Sequence, residues 1–384
     1  VGLPEVLSVP LLGDAATTFS AEQSASVGGP FERKLRSRAP ELRLDPCLER
    51  AAAAHFAAPP QLIDRLPLAF TEFAMHWAGC PDPTAAVSVL LSSDDGEQAL
   101  LDHLVELTRG ESYTHIGIAR TEAQRPYRVR WLMLFTNRQF SLRPVPTRAE
   151  AGTILPLQFR VASRFDRVTV AVTKPGGGIE TIDAGLSRGQ AVAAVELARE
   201  PGRQWIELIG HGKRGPEVLA LFPIAVSRPP PKIWVGRTRP DESWIDTVEE
   251  AEEFAADMIL HDRSRFDLPE LERDPRLDAI ARLHSSDMAT SDYFAHVSPS
   301  TGSVADRLVA AGYQATFAAE NIALGSRLTE AQESLMKSPG HRASILNPHA
   351  THFGVGVAFR HEEYGTVHLL TQVFATRSDT SSYR

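Results

Sequence analysis

The feature that most constrains how this chain folds is an echo of itself. The segment ELRLDPCLERAAAAH (41–55) aligns without gaps with ELERDPRLDAIARLH (270–284), and seven of fifteen positions agree. Downstream of each lies a second matched pair, THIGIAR with YRVRWLMLF and THFGVGVAF with TVHLLTQVF. Motifs recurring in the same order indicate a repeated structural unit. The pattern therefore predicts one fold used twice, near each end of the chain, with a region of different character between the copies.

Composition sets the outer bounds. A chain of 384 residues is too long for one small core, so two or three domains are expected. Apolar residues make up 43% and charged residues 23%, which is ordinary for globular protein and excludes wholesale disorder. A net charge of −8 argues against nucleic acid as a partner. No run approaches the roughly 18 apolar residues of a transmembrane segment. Cys47 and Cys80 are compatible with one disulfide in an oxidising compartment and equally with two buried thiols. The sequence begins at Val1, so a leader is either removed or not included.

Residues 1–30, rich in Gly, Ser, Ala and Pro, read as an extended or mobile lead-in. Residues 31–140 read as an α+β domain. Helical periodicity runs from Phe31 to Ala58, with Leu44, Leu48, Ala51, Ala52 and His55 on one face. Helical stretches near 61–78 and 96–109 follow, then two paired strands. Residues 141–228 consist of short β-rich runs such as LPLQFRVA, RVTVAVTK and WIELIG, spaced as in an immunoglobulin-like β-sandwich. RPPP at 228–231 stiffens a proline-rich linker that occupies 229–243. Helical signals return over 244–378. One amphipathic helix carries Trp244, Val248, Ala251, Phe254 and Met258 on a stripe, and a second has Asp274 as N-cap and Pro275 at its first position. Shorter helices near 304–311 and 329–337 precede a closing hairpin.

GHGKRG places Gly210, Gly212 and Gly215 in the spacing of a dinucleotide-binding turn. Such a turn must open a helix that meets the pyrophosphate, whereas Pro216 and another β-like run follow here, so a hairpin loop is expected. Eight of the thirteen histidines fall in the last third of the chain, which has no HExxH, no GxSxG and no cysteine. Serine-elbow and thiol chemistry therefore have no support there. A divalent-metal site of imidazole and carboxylate ligands, which zinc accepts, stays open. In SPGHRASIL (338–346), Ser338 suits an N-cap and Pro339 the first helical position. His341 then sits in the first turn, where the helix dipole favours a neutral ring.

HSSDMATSDYFAHVSP, DRLVAAGY, AAENIALG, SPGHRASILNPHATHFGVGVA and the closing TQVF follow, in order, the pattern of the CAP superfamily. Residues 244–378 resemble its short bacterial form, which lacks disulfides. The resemblance implies an α-β-α sandwich with a cleft of two histidines and two acids that can hold a divalent cation, often zinc. By motif, His296 and His341 are the histidines and Glu320 the first acid. The second acid has no clear counterpart; Glu333 and Glu330 are local candidates, and Leu335 stands where the family has tryptophan. The resemblance further implies an extracellular or cell-envelope protein, a binding or scaffold module whose cleft takes a metal and a lipid, glycan or peptide ligand. One alternative is a metal-assisted hydrolase with Glu320 or Glu333 as general base. Another is a structural protein whose His/Glu cluster is only a hydrogen-bond network.

Plainer roles stand beside these. Glu320 can pair with Arg342, Asn321 can hold a turn, and His284 reads as a satisfied core histidine. His261 reads as solvated, and His349, His352, His361 and His368 as surface or cleft-edge residues. The first copy has nothing like AENIA between 57 and 100, and the position of His341 falls near Leu104, one step from His103. It reads as a degenerate CAP-like domain without a metal.

Overall fold

The computed structural model describes residues 6–11, 13–21, 29–60, 62–63, 66–94, 96–109, 112–237, 241–266, 268–362 and 365–377. The chain divides into two compact units, Val1–Ile209 with Val218–Thr238, and Gly210–Glu217 with Arg239–Arg384.

The first unit opens with an α/β region. Its four-stranded sheet has the order Arg43–Leu44, His115–Glu122, Val129–Thr136, Ala86–Ser92. The first pair is parallel and the others antiparallel. Alternate side chains of the central strand serve both faces of the sheet. Leu132 and Leu134 meet Leu48, Phe70 and Met75 from helices Pro46–Ala54 and Leu68–Ala78. Met133 and Phe135 meet Leu35, Leu100 and Leu104 from Pro30–Arg38 and Glu97–Leu107.

The single helix expected over 31–58 is two. The first ends at Arg38, because Ala39 precedes Pro40 and is driven out of the helical region (φ −136°). The second starts where the Asp45 carboxylate accepts from the N–H groups of Cys47 and Leu48, with Pro46 in the first turn. A disulfide joins Cys47 to Cys80, just past the helix Leu68–Ala78. Arg138 is buried between two acids, donating to both oxygens of Asp82 (2.9 and 2.6 Å) and to Asp45 (2.6 Å).

The lead-in and the linker are extended and paired with each other, Val6–Pro10 antiparallel to Ile233–Arg237, with Val9 and Trp234 buried in the core of the α/β region. Lead-in residues 1–5, 12 and 22–28 and linker residues 238–240 lie outside the described residues.

Beyond residue 140 two sheets share one core that includes Leu157, Phe159, Val170, Ile206 and Phe222. The strand Ile154–Val161 buries every second residue, as a half-exposed strand should. GHGKRG is the turn between strands Gly202–Gly212 and Gly215–Val226, and Gly215 takes a positive φ of 94°. The hairpin reading holds, since no helix opens there.

In the second unit, helix Val248–Ser264 begins at a capping box formed by Thr247 and Glu250. Trp244, expected on the helical stripe, precedes that cap and is half exposed. The four-stranded sheet has the order Glu272–Arg273, His352–Glu362, Gly365–Arg377, Ala315–Gly325, again with a parallel first pair. Helices Val248–Ser264, Leu328–Lys337 and Pro339–Ile345 cover one face through Ala255, Leu335 and Ile345 against Phe353, Val355 and Phe374. Helices Pro275–Thr290 and Val304–Ala310 cover the other through Leu277, Ile280 and Leu308 against Val373 and Ala375. Gly354 permits the close approach of Pro275–Thr290, because a Cβ there would lie 2.3 Å from the backbone of Leu277 and Asp278.

Candidate metal and ligand cleft

The site gathers at the edge strand Ala315–Gly325, whose successive side chains point to opposite faces. Glu320 points to the side of Pro275–Thr290, where the Nε2 of His284 lies 3.8 Å from its Oε1. The next residue, Asn321, is buried and donates from Nδ2 to the backbone oxygen of His341 (3.1 Å) and to Gln372 (3.2 Å), so it braces the cleft instead of holding a turn.

Glu320 is the buried centre of the cluster, its side chain 2% exposed. Arg307, from the short helix Val304–Ala310, pairs with Oε2. His296 Nδ1 lies 3.0 Å from Oε1. Burial alone raises the Glu320 carboxyl, but the hydrogen bond from His296 and the charges of Arg307, His296 and His284 outweigh it and hold the group below the usual carboxylate range. An ionised carboxylate only accepts, so His296 donates from Nδ1, which leaves Nε2 as the ring atom that can meet a cation.

The loop that carries His296 is tied down on both sides. Asp287 accepts from Tyr293 Oη and from Ser298 Oγ, both at 2.6 Å. Burial and the hydrogen bond to Asp287 push the Tyr293 hydroxyl up to about 12. Within the same unit, the N–H of Val297 donates to the backbone oxygen of Arg214 (3.1 Å).

Ser338 caps Pro339–Ile345, accepting from the N–H of His341, and its Oγ lies 2.7 Å from the Nδ1 of that ring. Enclosure of the ring, aided by the charge of His296, pushes the His341 pKa down to about 3. The helix start thus aims His341, and loss of solvent is the main cause of its neutrality. The rings of His296 and His341 stack with centroids 6.4 Å apart and planes 24° apart.

Three of the four expected residues therefore come together, and the fourth, Glu333, is on a neighbouring helix. It is exposed on Leu328–Lys337. Glu330 is buried but accepts from Ser326 (2.8 Å), and Leu335 fills the core. His284 is a core histidine, bonded through Nε2 to the Ala295 carbonyl (3.1 Å). Sequence reasoning missed Arg307 and named Arg342 as the partner of Glu320. Arg342 instead lies over the Phe266 ring, 4.6 Å from its centroid. The only available signal was an arginine in DRLVAAGY, thirteen residues before Glu320.

A catalytic zinc takes three protein ligands. This cleft offers two imidazole nitrogens, with Glu320 behind His296 as the carboxylate that orients a metal-binding ring. Those donors suit a divalent cation held by His296 and His341 with its other positions open. Among the described residues, the only three ligand atoms within 4.8 Å of one another belong to Asp45, Cys47 and Cys80, whose sulfurs are joined in the disulfide.

Helices on both faces of a four-stranded sheet, with two histidines and a buried glutamate at its edge, define a domain of the type found in cysteine-rich secretory proteins. Residues 257–374 match the family model described as the cysteine-rich secretory protein family, CAP. The chain thus carries a CAP domain over those residues.

Among curated proteins it resembles the uncharacterized protein YkwD of Bacillus subtilis, at 36% identity over 121 residues, 31% of this chain and 47% of that protein. It also resembles the uncharacterized membrane protein YlbC of the same organism, at 37% identity over 118 residues, 30% of this chain and 34% of that protein. The chain thus spans less than half the length of either relative. Among solved structures, an extracellular protein containing a SCP domain from Bacillus anthracis aligns at 21% identity and a TM-score of 0.32, covering 63% of this chain and 87% of that one. No helix among the described residues is long and apolar enough to cross a membrane.

Proposed function

We propose that the C-terminal CAP domain is a ligand-binding module whose cleft takes a divalent cation, zinc being the best match, through His296 and His341. The carrying observation is the relay Arg307–Glu320–His296. It holds a carboxylate ionised behind one imidazole while the facing ring of His341 stays neutral, the state metal binding requires. The cation's open positions would receive an oxygen-bearing lipid, glycan or peptide group. Zinc is expected to raise the thermal midpoint of the full chain, as any ligand of the folded state does. The rise should vanish in His296→Ala and His341→Ala and weaken about 10–100-fold in zinc affinity in Glu320→Gln. A wild type indifferent to zinc would remove this reading. The hydrolase alternative requires in addition a substrate whose turnover Glu320→Gln abolishes, and a third protein ligand such as hydrolytic zinc ordinarily has; among the described residues no three ligand atoms gather within 4.8 Å at this cleft.

The N-terminal α/β region is read as a degenerate copy of the same domain. Its support is the shared strand order and the ladder register. Glu320 faces Val373, which faces Gly354; Val87 faces Leu134, which faces Gly117. Gly117 and Gly354 hold the same place in THIGIA and THFGVG, so Val87 stands where the second region has Glu320. The central pair of sheets is read as an immunoglobulin-like spacer. An extracellular or envelope location is supported by the disulfide, which persists in oxidising compartments.

A further inference from the structure

The first unit holds a cavity of about 260 Å³, near the lower end of small-molecule sites, which begin at about 300 Å³. Its walls include Phe73, His76, Trp77, Trp205, Arg203 and Arg228, with three prolines of the linker closing one side. Trp205 stands edge-on to His76, ring centroids 5.4 Å apart. Such rings present flat apolar faces to an occupant.

The charged groups of the cavity wall are both arginines, Arg203 and Arg228. Arg203 lies 5.8 Å from the Trp205 ring centroid. Arg203 and Arg228 are both exposed at the cavity wall, and neither pairs with a carboxylate among the described residues. No acidic side chain lines the cavity. Trp77 is 8% exposed, and its indole Nε1 is buried without a hydrogen-bond partner. Buried donors are almost always satisfied, so an orphaned one calls for an explanation. Two guanidinium groups beside an aromatic wall, with no acid among the lining residues, ask for an occupant that supplies anionic oxygens and a ring.

We propose that this cavity binds a small ligand consisting of a ring that bears a carboxylate, the ring against Phe73 and Trp205 and the carboxylate on Arg203 and Arg228. Arginine is suited to that second task, since its planar fork matches a carboxylate with two parallel hydrogen bonds. Two sources share this chemistry, a sugar acid and an aromatic acid. The site is separate from the histidine cleft, so its fate does not depend on the metal reading.

The test is tryptophan fluorescence of the full chain titrated with glucuronate and with benzoate, and with glucose and benzyl alcohol as neutral counterparts. At least one acid is expected to give a saturable change that its neutral counterpart does not match, and the tighter acid names the source. The Arg203→Gln/Arg228→Gln double variant should weaken that binding about tenfold or more, and Trp205→Phe should remove most of the signal. Should the double variant fail to fold, Arg228→Gln alone carries the test, because Arg228 is exposed. Saturation by neither acid, equal binding of a neutral counterpart, or unchanged affinity in the arginine variants would each overturn the proposal.

Discussion

The two α/β regions share a strand order and differ in where they keep buried charge. In the C-terminal region one buried charge cluster sits at the sheet edge, where Glu320 is held between Arg307 and His296. In the N-terminal region the edge position carries Val87, 45% exposed. There a buried charge cluster lies by the disulfide, where Arg138 is saturated by Asp45 and Asp82. An arginine between two carboxylates has its donors committed and offers nothing to a ligand. An imidazole bonded through one nitrogen keeps the other. On the metal-binding proposal, that spare nitrogen is what distinguishes the second cluster from the first.

The largest expected effect comes from breaking each cluster. Arg138→Met strands two buried carboxylates and should cost about 3–5 kcal/mol, read from urea unfolding, while zinc-induced stabilisation stays intact. Arg307→Met should destabilise its own unit and weaken the zinc response as well. If the two variants proved alike towards zinc, the contrast between structure and site would fail.

A smaller, matched effect is expected from the glycines beneath the paired helices. A Cβ on Gly117 would lie 2.0 Å from the backbone of Leu48, and one on Gly354 lies 2.3 Å from that of Leu277. Gly117→Ala and Gly354→Ala should each cost about 1–3 kcal/mol through overpacking. Melting curves showing one variant tolerated and the other not would argue against a common helix-on-sheet geometry.

The smallest effect is a pH slope. His55 is buried, with Nδ1 2.9 Å from the Ala51 carbonyl and Nε2 3.0 Å from Thr71 Oγ1. Burial lowers its pKa to about 4, against the opposing pull of the Ala51 and Ala52 carbonyls. The unfolded ring takes up its proton near 6.5, so its contribution to stability is full above that pH and is lost as pH falls towards 4. His55→Gln should flatten stability between those limits. His284, its partner in the sequence echo, is also lowered by burial, with Glu320 3.8 Å away pulling against that shift. A slope unchanged in His55→Gln would assign the acid sensitivity to other groups.

Local signals were the legible ones. Asp274–Pro275 and Ser338–Pro339 mark helix starts because a cap and its proline are neighbours in sequence. The motifs YFAH, AENIA and SPGHR mark His296, Glu320 and His341 within short stretches of sequence. What stayed hidden depends on distant partners. The break inside 31–58 is completed by a two-residue strand, Arg43–Leu44, that exists through pairing with His115–Ile116. Arg307 reads as a surface helix residue until the fold brings Glu320 to it. Glu333, a candidate because it lies close to SPGHR in sequence, is exposed on its helix.

The most direct measurement of the central claim is anomalous X-ray scattering at the zinc edge from a zinc-soaked crystal of the full chain. The account predicts one strong peak between His296 and His341, about 2.0–2.1 Å from the Nε2 of each, and none at the edge strand carrying Val87. Full occupancy elsewhere, or no zinc at the two histidines, would contradict it.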